Sequence, residues 1–119
     1  MNCLDTYALI EIANGNPSYS RGFSFDFIIT DITLAEFYWV LLRDYGMDLA
    51  ESWLNKLSPY SQEADKSVLI NAMKYRHENK KQNLSFFDCV GYIFSTAKGF
   101  NFVTGDKEFK DKKGVLFIK

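Results

Sequence analysis

Short apolar runs alternate with longer amphipathic segments along this chain, and that order restricts the folds that it can form. Strands are predicted at 2–4, 25–30, 100–104 and 115–118, and helices at 6–13, 34–45, 49–57, 61–79 and 86–98. The segment 14–22 is rich in Gly, Asn and Ser and is predicted to be a loop, with room for one helical turn. Because strands are followed by helices, we predict an α/β fold, a three-layer α/β/α sandwich with a mostly parallel central sheet.

Length and composition indicate a single globular domain spanning residues 1–119. Hydrophobic residues make up 47% of the chain and aromatic residues 17%, which predicts a bulky aromatic core or interface. No apolar run approaches the roughly 20 residues that cross a bilayer, and the N-terminus lacks the features of a signal peptide. The two cysteines, Cys3 and Cys89, match no zinc spacing and are expected to be buried and reduced. We therefore expect a cytoplasmic protein without a membrane partner.

Charge is unevenly distributed although the net charge is only −1. Residues 1–73 carry 10 acidic and 4 basic side chains, whereas residues 74–119 carry 5 acidic and 10 basic ones. A solvent-exposed helix end and loop would explain the basic clusters, and so would a rim that contacts phosphates beside an acidic centre. The basic side chains are Lys74, Arg76, Lys80 and Lys81, then Lys107, Lys110, Lys112 and Lys113.

Four acidic residues, Asp5, Glu36, Asp88 and Asp106, lie at predicted switches from strand to helix or at helix starts. The carboxyl ends of parallel strands meet at one crevice, where ligands bind in open α/β sheets. Four carboxylates gathered there cannot all ionise without a compensating cation. Carboxylate oxygens are the ligands that Mg²⁺ and Mn²⁺ prefer, so a metal site for phosphoryl chemistry is the leading hypothesis.

Each acid also has a purely structural explanation. The patterns Thr33-Leu-Ala-Glu36 and Ser85-Phe-Phe-Asp88 both fit the capping box of a helix N-terminus. Asp5 is placed to cap the first helix, and Asp106 is placed in a turn after Thr-Gly. Capping and metal binding are compatible, because a capping carboxylate also lies at the mouth of the strand ends.

The chain resembles the PIN domain family, which includes the VapC-type toxins of prokaryotic toxin–antitoxin pairs. The resemblance rests on Leu4-Asp5-Thr6, Thr33-Leu-Ala-Glu36, Ser85-Phe-Phe-Asp88 with Ala97-Lys-Gly99, and Thr104-Gly-Asp106-Lys-Glu-Phe109, in that order. It implies that Asp5, Glu36, Asp88 and Asp106 form an acidic metal site, with Thr6 and Thr104 as orienting hydroxyls. It also implies a ribonuclease dependent on Mg²⁺ or Mn²⁺ and a homodimer.

Two features depart from the family pattern. Asp31 is an extra acid close to Glu36 that would replace or supplement a ligand. The loop 14–22 is short, so a helical piece of the binding groove is expected to be reduced.

The predicted activity is hydrolysis of RNA phosphodiester bonds by a metal-activated water. Asp5, Asp88 and Asp106 would hold the ion, and Glu36 would bind a second ion or deprotonate a coordinated water. Lys107 and Lys110 would contact flanking phosphates, and Tyr92, four residues after Asp88, would stack on an unpaired base. A cognate antitoxin would inhibit the enzyme by placing a basic side chain among the carboxylates. Trp39 and Val40 lie off the main apolar stripe of helix 34–45, and helix 49–57 carries Trp53. These residues suggest either a dimer interface or core packing.

Three alternatives remain at this stage. A non-catalytic PIN-fold module that binds RNA or protein would share the fold but would be expected to lack one of the four acids. A free-standing RNA-processing nuclease would share the site but would have no antitoxin. A phosphorylatable receiver domain also gathers acids at strand ends, but the chain has no paired acids after its first strand.

Overall fold

A five-stranded sheet forms the centre of the protein in a computed structural model that describes residues 1–19 and 26–119. Every strand pair in it is parallel, and the strand order is β3-β2-β1-β4-β5. The strands are β1 (Asn2–Leu4), β2 (Phe27–Thr30), β3 (Ser61–Gln62), β4 (Asn101–Thr104) and β5 (Val115–Phe117). Because all the described strands run the same way, their carboxyl ends lie along one edge of the sheet.

Five helices cover the two faces of this sheet. They are α1 (Thr6–Ala13), α2 (Asp31–Tyr45), α3 (Met47–Leu57), α4 (Lys66–Glu78) and α5 (Phe86–Lys98). Short 3₁₀ turns lie at Pro17–Tyr19, Ser58–Tyr60 and Lys107–Phe109. Among the described residues, no helix is both long enough and apolar enough to span a membrane.

The alternation of side chains along each strand divides the core into two layers. Leu4, Ile29 and Val103 point to one face, where they pack with residues of α1, α2 and α3. Cys3 and Phe102, neighbours of those residues on the strands, point to the other face, where α5 packs against the sheet and α4 against α5. The predicted three-layer α/β/α sandwich is therefore confirmed.

Two helix starts differ from the predictions by three residues or more, and α3 begins at Met47, two residues before its predicted start. Helix α2 begins at Asp31 rather than at residue 34, because the Thr30 hydroxyl accepts a hydrogen bond from the Thr33 amide and caps it. The prediction that Thr33 caps this helix is therefore wrong, and Thr33 is buried within its first turn. Helix α4 begins at Lys66 with Asp65 as its cap, and the residues before it form β3, which the sequence pattern did not indicate.

The other boundaries lie close to their predicted positions. Helices α1 and α5 have the predicted limits, and the 3₁₀ turn Pro17–Tyr19 lies inside the predicted loop. Strand β2 begins at Phe27; the predicted start at Phe25 lies outside the described residues, as do 20–22 of the loop. Gly99 ends α5 with φ of 72°, a left-handed conformation that glycine adopts without strain.

Candidate metal centre

A cleft of about 610 Å³ opens at the carboxyl edge of the sheet. Its walls come from the first turns of α1 and α5, from the middle of α2 and from the turn after β4. Three of the four predicted acids line it, and the fourth, Asp5, is buried next to the lining residue Thr6. The lining residues are Thr6, Tyr7, Ile10, Glu36, Val40, Ser85, Asp88, Gly105, Asp106, Lys107 and Lys119.

Asp5 lies between β1 and α1, with only 2% of its surface exposed. Its Oδ1 accepts a hydrogen bond from the Ala8 amide at 2.8 Å and caps α1, as predicted. Its Oδ2 is the one buried side-chain oxygen or nitrogen without a hydrogen-bond partner among the described residues; the Thr104 hydroxyl lies near this carboxyl but makes no hydrogen bond to Oδ2. Burial, followed by the negative charge of Asp88, raises the pKa of the Asp5 carboxyl well above its usual range; the Thr104 hydroxyl and the Ala8 amide oppose that shift.

Asp88 lies in the first turn of α5. Its amide donates to Ser85 Oγ at 3.1 Å, so Ser85 caps this helix as the capping-box pattern predicts. Burial, followed by the charge of Glu36, raises the pKa of Asp88 to about 6. Burial, with a smaller contribution from the neighbouring carboxylates, thus raises the pKa of Asp88 enough to keep it partly protonated close to neutral pH.

Glu36 extends from α2 toward the start of α1. The Thr6 hydroxyl donates a hydrogen bond to Oε1 of Glu36 and fixes the direction of this carboxylate. Burial raises the pKa of Glu36, and the bond from Thr6 lowers it. The Thr6 hydroxyl thus contacts Glu36 at the cleft, and its orienting role in a metal site stays a prediction.

Asp106 is held by the turn that follows β4. Its amide donates to Thr104 Oγ1 at 3.0 Å, and its Oδ1 accepts from the Glu108 amide at 3.0 Å. Gly105 between them is buried, and a Cβ at this position would lie 2.2 Å from Cε1 of Tyr7 and 2.6 Å from the Ile118 carbonyl oxygen. The Thr-Gly-Asp sequence is therefore required by close packing as well as by the hydrogen bonds of the turn.

The four carboxylates repel one another across this cleft. Asp88 and Asp106 both raise the pKa of Asp5, and Glu36 and Asp106 both raise that of Asp88. In the described part of the chain, however, no three acidic, histidine or cysteine side chains are already grouped closely enough to hold an ion. The cleft therefore gathers negative charge without presenting a closed set of ligands.

The structure brings only some of the predicted substrate-binding residues to the cleft. Thr6 and Lys107 line it, and their contact with substrate stays a prediction. Lys110 lies outside the lining, with its ammonium group 5.8 Å from the centre of the Phe117 ring. Tyr92 also lies outside it, because its ring packs against Phe102 and Phe109 and its hydroxyl donates to the Lys113 carbonyl. This packing therefore places the Tyr92 ring away from the cleft, where the predicted stacking of a base would have to occur.

Asp31 has a structural role at the start of α2. Its Oδ1 accepts hydrogen bonds from the Ile32 amide at 2.9 Å and from the Ala64 amide at 3.0 Å. These bonds connect the start of α2 to the segment after β3, and Asp31 does not line the cleft. This arrangement explains the extra acid without a role as a metal ligand.

Several cleft residues were not identified from the sequence. Tyr7 and Ile10 follow Thr6 on α1, and Val40 lies one turn after Glu36 on α2, so helical spacing from the acids would have indicated them. They form an apolar wall of the cleft. Lys119 adds a second basic residue to the rim beside Lys107, and no local pattern indicates its position.

The comparisons with known proteins agree with this fold. The PIN domain family model matches residues 3–115, whereas no curated protein sequence matches the chain. VapC20 of Mycobacterium tuberculosis, described as a sarcin-ricin loop cleaving toxin, superposes with a TM-score of 0.82 at 17% identity over 100% of both chains. DNA-bound VapBC of Salmonella typhimurium gives 0.76 at 19% identity over 98% of this chain and 95% of that one. A toxin–antitoxin complex from Klebsiella pneumoniae gives 0.75 at 16% identity, with coverages of 98% and 96%.

Identities this low establish only that these proteins share a fold with the present one. The match to the family model is independent of them and extends over nearly the whole sequence. The chain therefore belongs to the PIN domain family.

Proposed function

We propose that this protein is a metal-dependent endoribonuclease that hydrolyses phosphodiester bonds of RNA. The observation that carries the proposal is the unpartnered Oδ2 of Asp5, buried behind a cleft that Glu36, Asp88 and Asp106 line. A buried carboxylate oxygen without a donor is costly unless something satisfies it. A hard divalent cation would satisfy it, and the surrounding donors are the oxygens that Mg²⁺ and Mn²⁺ prefer.

Asp5, Asp88 and Asp106 would hold the cation, with Glu36 beside it. When bound, such an ion polarises a phosphoryl oxygen and lowers the pKa of water. The carboxylates are not grouped as a closed ligand set, so binding would draw them together and relieve their mutual repulsion. Mg²⁺ usually keeps several waters, so a few carboxylates are sufficient.

Side chains of the protein would accept the proton, hold the carboxylates in position and bind the flanking phosphates. Glu36, fixed by Thr6, is placed to accept a proton from the attacking water, because its raised pKa makes it a better base than an exposed glutamate. Thr104 holds the amide of Asp106 and thereby sets the turn that carries this carboxylate. Lys107 and Lys119 supply positive charge at the rim, where they would contact phosphates that flank the scissile bond.

Single-stranded RNA is the expected substrate. An open cleft with an apolar wall suits unpaired bases that can leave a helical stack. Tyr7 offers an aromatic ring on that wall, in the position that Tyr92 had been expected to fill.

The biological role that we propose is that of a toxin, held inactive by a cognate antitoxin and acting on RNA in the cytoplasm. This rests on analogy with the structural neighbours, which include toxin–antitoxin complexes. An antitoxin arginine inserted among the carboxylates would pair with them and compete with the metal. A free-standing RNA-processing nuclease is the alternative. Growth arrest on expression of the chain, relieved by Asp5→Asn and by a neighbouring small gene, would separate the two.

A homodimer is also proposed. Trp39 is 55% exposed, with the Arg43 guanidinium 4.7 Å above its ring, and is available to an interface. Trp53, by contrast, packs edge-on against Phe37 in the core, and Val40 lines the cleft. A monomer mass by light scattering at tens of micromolar would contradict the dimer.

The nuclease assignment is tested with purified protein and a labelled single-stranded RNA. Cleavage should require Mg²⁺ or Mn²⁺, stop on addition of EDTA, and disappear in Asp5→Asn and Asp88→Asn while the circular dichroism spectrum is unchanged. Asp65→Asn, at the exposed cap of α4, is the matched control and should cleave normally. A wild-type protein that binds RNA and Mn²⁺ without cutting would instead favour a non-catalytic PIN-fold module.

A further inference from the structure

A second cavity, of about 480 Å³, lies between the end of α4 and the loop that leads into α5. It is separate from the acidic cleft and is not used by the proposed chemistry. Its volume falls within the range of sites that hold small organic ligands. The residues that line it are Met73, Arg76, His77, Lys80, Gln82, Asn83 and Leu84.

The lining of this cavity is basic and contains no acidic residue. Among the described residues, no acidic side chain forms an ion pair with Arg76, His77 or Lys80. The helix dipole favours positive charge in the last turn of α4, which accounts for Arg76 and His77. It does not account for Lys80 or for the amides of Gln82 and Asn83, which lie beyond the end of that helix.

One hydrogen bond ties this basic cavity to the acidic cleft. Nε of Arg76 donates to the Leu84 carbonyl oxygen at 2.9 Å, which fixes the guanidinium at the loop. Leu84 is buried and lines the cavity, and the next residue, Ser85, lines the cleft and caps the helix that carries Asp88. Two consecutive residues therefore line the two sites, one site each, and their Cα atoms are about 3.8 Å apart.

We propose that this cavity is a second RNA subsite, which holds one nucleotide of the strand that enters or leaves the acidic cleft. The inference rests on the proposed nuclease function and names where its substrate continues. Arg76 and Lys80 bind a backbone phosphate, because Arg76 is already oriented and Lys80 is exposed beside it. Gln82 and Asn83 present amides that can hydrogen-bond to a base edge, while Met73 and Leu84 supply an apolar surface for the sugar or base.

Electrostatic repulsion between the acidic cleft and RNA explains why the nuclease would need this subsite. The acidic cleft repels a polyanion until a cation is bound, so the enzyme needs positive charge on both sides of it to retain RNA. Lys107 and Lys119 provide this charge within the cleft itself. The cavity at the end of α4 provides positive charge next to Ser85. The basic residues that line the cleft itself, Lys107 and Lys119, lie on other segments of the chain.

The experiment compares two double variants that each remove two positive charges. Arg76→Gln/Lys80→Gln removes the charge of the subsite while glutamine retains a donor for the Leu84 carbonyl. Lys66→Gln/Lys98→Gln is the control, since these exposed lysines lie at the far ends of α4 and α5. Lys80→Gln alone is included as well, because Lys80 is exposed and its change leaves the Arg76 anchor intact. Both doubles are measured in the wild-type and in the Asp5→Asn background.

Binding is measured by fluorescence anisotropy with a single-stranded RNA of about ten nucleotides, within the usual site size of such grooves. In the Asp5→Asn background, the subsite double should bind about tenfold more weakly than the control double at moderate salt. The slope of log K against log salt should become shallower by about 0.7 for each phosphate that the protein no longer neutralises. Equal affinities and equal slopes for the two doubles would overturn the subsite.

Cleavage kinetics provide the second measurement. With the longer RNA, the subsite double should show a raised KM and an unchanged kcat, because the subsite contributes uniform binding. With a dinucleotide, which reaches only the cleft, the subsite double and the control double should be cut equally. A loss on the dinucleotide, or no change in KM on the longer RNA, would overturn the inference. A wild-type protein that cuts no RNA would refute the nuclease proposal, and the anisotropy comparison would still decide the subsite.

Discussion

The Thr6 hydroxyl donates a hydrogen bond to Oε1 of Glu36 and thereby joins two helices through residues that are 30 positions apart in sequence. One partner is the first residue of α1, and the other lies in the second turn of α2. The bond fixes the only one of the four acids that is not at a strand end or in the first turn of a helix. It also opposes the effect of burial, which raises the pKa of Glu36.

The first prediction concerns the Thr6 hydroxyl. In Thr6→Val the carboxylate of Glu36 loses its donor, so its pKa rises further and the proton acceptor is lost at a higher pH. The acidic limb of the pH profile of kcat/KM should move to higher pH, and the rate below neutrality should fall on the order of tenfold. Thr6→Ser keeps the hydroxyl and should follow the wild type. Coincident profiles for the valine variant and the wild type would refute the role of Thr6.

The second prediction compares two substitutions of Asp5. Asparagine keeps an oxygen that can accept from the Ala8 amide and removes a charge that burial disfavours, whereas alanine loses the cap as well. Without metal at pH 7, Asp5→Asn should therefore be more stable than Asp5→Ala by about 1 kcal/mol. Both should be inactive and should bind Mn²⁺ weakly. Thermal unfolding and Mn²⁺ titration measure the two properties, and retained Mn²⁺ affinity in Asp5→Asn would count against the metal site.

Apolar residues at helical spacing, together with capping residues, were enough to predict the helices in which both patterns are clear. Helix α5 has a capping serine, Ser85, at one end and Gly99 at the other, so both limits follow from the sequence. The start of α2 was misplaced because Thr30 and Thr33 are equally suitable caps by composition. The structure uses Thr30, since β2 leads directly into the helix without a loop.

Features that depend on distant contacts were not predicted. Strand β3 has only two residues, Ser61 and Gln62, and no apolar alternation; it exists because it pairs with the end of β2. Tyr92 was placed near the cleft by its spacing from Asp88. Asp88 is in the first turn, at the open edge of the sheet, whereas one turn later the same side of α5 is packed against Phe102 and Phe109.

The third prediction concerns the pH dependence of stability in the absence of metal. Asp88 has a pKa of about 6 in the folded protein against 3.8 for the ordinary carboxyl, so the folded state binds more protons between these values. The free energy of unfolding should therefore fall as pH rises from about 4 to about 6, by on the order of 3 kcal/mol. Asp5, whose pKa is also raised, adds to this loss.

Denaturant titration at a series of pH values measures this effect. Asp88→Asn should be less sensitive to pH over this range and more stable than the wild type at pH 7 without metal. Adding Mn²⁺ at pH 7 should stabilise the wild type more than the variant, since binding to the folded state alone adds to its stability. A wild-type stability that is flat or rising between pH 4 and 6 would contradict the prediction.

The last prediction separates Asp31 from the metal site. The Asp31 carboxylate accepts two backbone amides, from Ile32 and Ala64, and these bonds hold the segment after β3 against α2. Asp31→Ala removes both and should lower the free energy of unfolding by about 1–2 kcal/mol. Asp31→Asn keeps the accepting oxygen and should be close to the wild type in stability. Because the carboxylate is outside the cleft lining, neither variant should change Mn²⁺ affinity or kcat measurably. If Asp31→Asn weakened Mn²⁺ binding as much as Asp88→Asn does, Asp31 would have to be counted among the ligands, and its bond to Ala64 would be a second role.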